Sequence, residues 1–267
     1  MNKIYQCFPQ GKHKALTMSY DDGKEDDRRL VEIFNRYGIR GTFHVNSGSR
    51  VGGRIPMEEY PKLYEGHEVA CHTLTHPTIA RCPMTEVVHE VLEDRKRLEA
   101  LLGRPVRGLS YPNGSYSEEI KKLLPALGIR YSRIVGDSHG FGLPADLYEW
   151  VPTCHHNHDL LADGEAFVNL NKKQYLYLMY VWGHSYEFDD RDNWNVIEEF
   201  CRYMGGREDI WYAANIEIID YMDAAGNLKF SGNNEMVYNP GAGSVWLKVN
   251  DEKTVEVKGG TAVSLND

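Results

Sequence analysis

The chain has 267 residues, 42% hydrophobic and 26% charged, which is enough apolar material for one large domain or one domain with a small appendage. A formal net charge of -9 argues against a nucleic-acid partner and against a polybasic membrane anchor. The five cysteines (Cys7, Cys71, Cys82, Cys154, Cys201) are odd in number and form no CxxC pair, so they read as reduced thiols rather than a disulfide framework.

The opening "MNKIYQCFPQGKHK" has no apolar stretch of signal-peptide type, and no later run is long enough to span a bilayer. With the thiols, this predicts a cytoplasmic protein. "ALTMSY" reads as a strand. "EDDRRLVEIFNRYG" reads as a helix, with Leu30, Ile33 and Phe34 at helical spacing and Gly38 as its stop. "GTFHVN" is a strand, "MEEYPKLYEG" a helix despite Pro61, and "HEVACHT" a strand. "MTEVVHEVLEDRKRLEALLG" is the clearest helix, with Thr85 as the expected N-cap and Gly103 as its end. "VRGLSYP" is a strand, "SEEIKKLLPALG" a helix opened by Ser117, and "YSRIV" a short strand. An irregular stretch runs to about Pro152. "QYLYLMYVWGH" is a buried strand, "WNVIEEFCRYMG" a helix, "DIWYAAN" a strand and "IEIIDYMDAAG" a helix. Repeated strand-then-helix units predict an α/β fold with a parallel sheet or barrel. After Gly226 short strands separated by Gly, Asn and Pro take over. The expected division is a barrel over 1–226 and a small antiparallel β appendage over 227–267 packed on it.

Functional groups of α/β barrels collect at the C-terminal ends of the strands. Three clusters fall there: Asp21-Asp22-Gly23, the pair His72 and His76 in "HTLTH", and His184 in "WGHSYEF". Two imidazoles and one carboxylate suit a divalent ion such as zinc with positions open for water and substrate. The i, i+4 spacing of His72 and His76 predicts a helical turn with both rings on one face. A second carboxylate beside the ion is the right group for a general base, and a histidine across the site can protonate a leaving group. Together these describe metal-assisted hydrolysis of an acyl bond. Singly, a DDG is usually a turn, an HxxxH usually a surface pair, and a strand-end histidine usually structural.

"SYDDG", "GHEVACHTLTHP", "LSYPNGSY" and "VWGHSYEF", in that order, resemble the motifs of the polysaccharide deacetylase family, the NodB-homology carbohydrate esterases, over Leu16 to Asp223. The resemblance implies a distorted (β/α) barrel that removes acetyl groups from carbohydrate with one divalent metal, zinc first, with cobalt, nickel or manganese as alternatives. It implies Asp21 as general base, and Asp22, His72 and His76 as metal ligands. It implies His184 as general acid and a backbone N–H near Tyr111 as oxyanion donor. The family's third motif usually begins with an arginine that fixes the catalytic aspartate, and Ser110 stands in its place. Arg133 is the candidate replacement. Asp137 and Trp150 are candidate remnants of the family's Asp/Trp motif.

His155, His156 and His158 of "TCHHNHD" read as a polar loop lining or rimming the cleft, with a second metal or a substrate contact as the lesser reading. Asp26 and Asp27 read as charges favouring the N-terminus of the helix that follows. Cys71 reads as a buried small residue. Tyr186, Glu187, Phe188 and Trp194 read as an aromatic rim for a sugar ring or as packing. The expectation is thus a deacetylase of an N- or O-acetylated saccharide, with an acidic surface that permits a homo-oligomer without demanding one. The rivals are a hydrolase of a non-sugar amide on the same fold, a carbohydrate-binding protein that has lost activity, and an iron oxygenase using the same ligand types.

Overall fold

The computed structural model describes residues 2–49 and 52–266. The chain opens with a short strand, Ile4–Cys7 (β1), followed by Lys14–Asp21 (β2), all of whose residues are buried. A strand covered on both faces needs a near-continuous apolar run, and such strands lie inside parallel sheets. The amphipathic helix Asp27–Tyr37 (α1) ends at Gly38, whose φ of 67° takes the left-handed conformation that glycine adopts without strain. The rhythm continues through Gly41–Val45 (β3), Tyr60–Leu63 (α2), Glu68–Cys71 (β4), Met84–Leu102 (α3) and Gly108–Ser110 (β5). Glu118–Leu123 (α4), Tyr131–Arg133 (β6), Cys154–His155 (β7), Leu160–Val168 (α5) and Tyr177–Gly183 (β8) follow. Tyr186–Asp190 (α6), Trp194–Met204 (α7), Ile210–Tyr212 (β9) and Asn215–Gly226 (α8) complete the α/β part.

The sheet has eight strands in the order β6-β5-β4-β3-β2-β8-β7, with β9 also paired to β2. Every pairing in it is parallel. β2 is long enough to fork: β8 runs along one edge, while β9 takes the first half of the other and β3 the second. The two ends of this curled sheet approach each other through one segment. Trp150 bridges Arg133 in parallel, and four residues later β7 pairs with β8. The result is the distorted α/β barrel that the resemblance implies, built on the parallel strands that the strand-helix rhythm predicts. Its core is the buried face of the helices, with Leu30, Phe34, Val87, Val91, Leu98 and Ile197 packed against the strands.

Three local expectations are corrected. α3 starts at Met84 with Pro83 at the N-cap position, not with Thr85 as cap, because proline's fixed φ already presets the first turn. "MEEYPKLYEG" is a 3₁₀ turn plus the single turn α2, since Pro61 is tolerated only in a helix's first turn. Cys154–His155, read as part of a polar loop, is strand β7. Ser117 does cap α4, accepting the Ile120 N–H.

Beyond α8 lie Lys229–Phe230 (β10), Met236–Tyr238 (β11), Val245–Val249 (β12), Lys253–Val257 (β13) and Ala262–Ser264 (β14). They form two antiparallel sheets, β10-β11-β14 and β1-β12-β13. The second takes in β1, so a strand from the N-terminus crosses the 226/227 division. Val237, Val245, Leu247, Val249 and Val257 make a small core against Ala225 and Leu228 at the end of α8. The Tyr221 hydroxyl of α8 ties both parts together, donating to Cys7 O and accepting from Trp246 N.

Candidate metal centre and active site

The parallel register brings Asp21, the last residue of β2, opposite His44 of β3. The next strands end at Cys71 and Ser110, so the loops after β2, β4 and β5 open on the same end of the barrel. A cleft of about 520 Å³ lies there, lined by Asp22, Lys24, Asp26, Gly53, Arg54, Thr75, His76 and Tyr186.

One ligand-type atom each from Asp22, His72 and His76 falls within 4.8 Å of the other two. Among these, His76 Nε2 is 4.0 Å from Asp22 Oδ1. The rings of His72 and His76 are 4.8 Å apart and nearly perpendicular. They do not share a helical turn, which corrects the expectation from spacing. Thr73 and His76 both take positive φ, 63° and 67°, and fold the loop so that the second imidazole comes back over the first. Asp22 also holds positive φ, at 84°. Two of the three candidate ligands thus sit in a conformation that costs an L-residue of order 1 kcal/mol or more, a feature typical of sites whose geometry the surroundings impose.

The donor set fits a divalent ion. His72 Nδ1 donates to Ser110 O at 2.9 Å and lies 2.6 Å from Ser110 Oγ, which leaves Nε2 with its lone pair toward the centre. Burial pushes His72 down to about 4, so its imidazole is neutral and ready to ligate at neutral pH. Arg54, unremarked in the sequence, donates through Nη2 to Asp22 Oδ1 at 3.2 Å and through Nη1 to Asp22 O.

Asp21 is 2% exposed and lies beside this centre, its Oδ2 3.8 Å from His72 Nε2. Arg133 Nη2 donates to Oδ2, and Ser110 Oγ donates to Oδ1 at 3.1 Å. His44 Nδ1 is 3.5 Å from Oδ1 and also contacts Ser19 Oγ at 3.1 Å. Burial by itself would raise the Asp21 carboxyl, but the charge of Arg133, with His72 and His44, holds it well below the ordinary carboxylate range. Arg133 is fully buried, its guanidinium 4.5 Å from the centre of the Trp182 ring. Ser110, where the resemblance calls for arginine, bonds the same carboxylate but is neutral and supplies no charge.

Tyr111 is placed differently from its expected role. Its N–H donates to Arg133 O at 3.1 Å, continuing the β5–β6 ladder, and is therefore not free for an oxyanion. Its hydroxyl donates to Tyr148 O. His184 follows β8, with Nδ1 3.0 Å from Glu187 Oε1. Burial would lower its pKa, but the hydrogen bond to Glu187 and the charges of Asp21 and Asp22 raise it.

Four further readings are settled by position. His155 and His156 are buried rather than set on a rim, because β7 pairs with β8; His158 stays exposed and bonds Asp137. Asp27 is not a solvated helix charge. It is buried, accepts from Tyr64 OH and Ser185 Oγ, and burial pushes it up to about 7. Cys71 is buried. Trp194 packs on Phe188 and donates to Asp189, which is a packing role.

Residues 9–132 match the family model for polysaccharide deacetylase. The chain is 27% identical over 110 residues to a chitooligosaccharide deacetylase of Bradyrhizobium sp., covering 40% of this chain and 49% of that one. It is 27% identical over 131 residues to a chitin deacetylase of Arthroderma benhamiae, covering 46% of this chain and 33% of that one. The chain therefore spans about half or less of the length of these two relatives. Among solved structures, a Mycobacterium smegmatis protein described as a polysaccharide deacetylase superposes with a TM-score of 0.60 at 16% identity, over 83% of this chain and 94% of that one. A family 4 carbohydrate esterase from Streptomyces lividans, in complex with acetate, gives 0.53 at 14% identity, over 76% and 93%. These likenesses carry the fold, a curled parallel sheet with flanking helices. The sequence match to that family model spans a little under half of the chain, and the fold of the α/β part agrees with it.

Proposed function

We propose that this chain is a metal-dependent hydrolase that removes an acetyl group from an N- or O-acetylated saccharide, releasing acetate and the free amine or alcohol. The observation that carries the reading is the convergence of Asp22, His72 and His76 within 4.8 Å, with the separate carboxylate of Asp21 beside them at the mouth of the barrel. The relatives named as chitin and chitooligosaccharide deacetylases support the substrate class.

Asp22, His72 and His76 would hold the cation, which when bound supplies a Lewis acid for the acyl oxygen and for water. Asp21, ionised across the neutral range, takes the proton from the attacking water. Arg133 and Ser110 keep its carboxylate oriented. His184 donates a proton from Nε2 to the departing nitrogen or oxygen as the C–N or C–O bond breaks. Its raised pKa keeps a larger protonated fraction near neutrality than an ordinary imidazole would have. Tyr111 is left out of the oxyanion role because its amide is engaged in the sheet.

Zinc is the ion we favour, since two neutral imidazoles and a carboxylate are a common catalytic zinc set. The five cysteines, all free, favour a reducing compartment such as the cytoplasm. No described helix is long and apolar enough to cross a membrane. A small saccharide fits that setting better than a cell-wall polymer.

The test is metal content by elemental analysis together with turnover of acetylated sugars. Wild type should carry about one equivalent of divalent ion. His72→Ala should lose it. Asp21→Asn should keep it and lose roughly 100-fold or more in kcat. An active Asp21→Asn enzyme would remove Asp21 from the reaction, and absence of metal even after zinc, cobalt or nickel is added would remove the hydrolytic reading.

A further inference from the structure

The segment "CHHNH" has no part in the reaction described above, yet three of its residues converge on one carboxylate. Glu187 lies in α6, one turn beyond His184. Its Oε1 is 3.0 Å from His184 Nδ1. Its Oε2 accepts from Asn157 Nδ2 at 2.9 Å and lies 3.1 Å from His155 Nε2 and 3.0 Å from His156 Nε2. Four nitrogens therefore surround a side chain that is only 20% exposed.

We propose that Glu187 is the positioning residue of the proton donor: it holds the Nδ1–H of His184 so that Nε2 is the nitrogen offered to substrate, and His155 and Asn157 hold Glu187 in turn. This rests on the hydrolytic reading for its consequence, though not for its geometry.

The alternative is a second metal centre, because atoms of His155, His156 and Glu187 also come within 4.8 Å of one another. The hydrogen bonds of His155 argue against it. Its Nδ1 accepts the backbone N–H of Asn157 at 3.2 Å. A neutral imidazole has one donor and one acceptor nitrogen, so the proton lies on Nε2, which is 3.1 Å from Glu187 Oε2. That nitrogen carries a hydrogen and has no lone pair for an ion. His156 is held as a flat spacer, stacked between Tyr20 at 5.6 Å and Phe188 at 4.1 Å. Its Nδ1 presses on Gly183, where a Cβ would come within 2.0 Å, so position 183 must be glycine for β8 to pass. Neither ring nitrogen of His156 has an aligned hydrogen bond.

The electrostatics agree with this arrangement. Burial would raise the Glu187 carboxyl, but the hydrogen bonds from the surrounding imidazoles hold it far below the ordinary range. The groups facing His184 are Glu187 and Tyr186 of α6, the latter at 5.3 Å between ring centres, Asp21 and Asp22 from the end of β2, His155 of β7 at 6.4 Å, and the His156 imidazole. Of the three carboxylates, only Glu187 touches the ring.

Glu187→Gln keeps the shape and an acceptor oxygen but removes the charge; Glu187→Ala removes both. The measurements are kcat and KM on an acetylated sugar, the pH profile, metal content, and the NMR titration of the His184 ring. We expect Glu187→Gln to keep one equivalent of metal and its KM and to lose about 10–100-fold in kcat. The His184 titration should move down by about one pH unit, and the alkaline limb of kcat with it. Glu187→Ala should be slower again; if it fails to fold, the Gln variant carries the test. An unchanged His184 titration in Glu187→Gln would overturn the proposal. So would two equivalents of metal in wild type falling to one in the variant, which would make Glu187 a ligand. If wild type turns over no acetylated substrate, the hydrolytic reading fails, while the titration still decides whether Glu187 holds His184.

Discussion

Arg133 and Asp21 form the most consequential pair in the barrel, because both are buried and each is the other's main charge partner. Removing one member of such a pair strands the other, which costs about 3–5 kcal/mol. Arg133→Met should therefore lower stability by about that amount in chemical denaturation, keep the metal, and raise the Asp21 pKa. The sign is fixed: a carboxyl held low in the folded state adds stability above its ordinary pKa and loses it as the pH falls. Without Arg133 the acid limb of kcat should move to higher pH. Arg133→Lys, keeping the charge, should recover part of the stability; equal stability of both variants would show that packing on Trp182, not charge, is what matters. The sequence exposed this pair indirectly, through a serine standing where a cation was expected and an arginine at the end of the next strand. It did not expose His44, whose place beside Asp21 depends on the β2–β3 register, or Arg54, which reaches Asp22 from a distant loop. Glu187 was within reach. A carboxylate three residues after a histidine meets it across one helical turn, but here it was read only as part of an aromatic rim.

At the scale of elements, the strand-helix alternation was legible because buried parallel strands and amphipathic helices have different apolar periods. β7 was not. Two residues are too few to show a period, and "CHH" has the composition of a loop, so its burial is decided by the neighbouring strand. β1 was missed for a similar reason: it is partly exposed and its partner lies near the far end of the sequence. Its contribution can be measured. Deleting residues 1–7 would uncover the edge of β12 and part of the small core beneath it. Limited proteolysis should then cut first between residues 227 and 266, while barrel fragments persist. Unchanged protection of that segment would mean that α8 alone holds it.

For the whole molecule, the buried titratable groups set the response to pH. Burial pushes Asp27, Glu68 and Asp94 up to about 7. It also pushes His44 down to about 3 and His67, His72 and His156 down to about 4. The raised carboxyls stabilise the fold at low pH and lose that contribution as the pH climbs through about 7. The lowered imidazoles contribute fully above their ordinary 6.5 and lose it as the pH falls toward 3–4. Between about pH 4.5 and 6.5 the three protons kept by the native carboxyls offset three of the four taken up by the unfolded imidazoles. The stability of metal-free protein should therefore rise with pH across that window, by about 1.4 kcal/mol per pH unit for the one uncompensated proton. Glu68→Gln should roughly double that slope. A flat wild-type curve would show the imbalance to be absent. The pairing of Ile4 with Val249 also has a consequence in time. At roughly 5–20 residues per second, a ribosome releases β1 some 10–50 s before β12 exists. Throughout that interval β1 is an open edge, and a strand made much later is what closes over it.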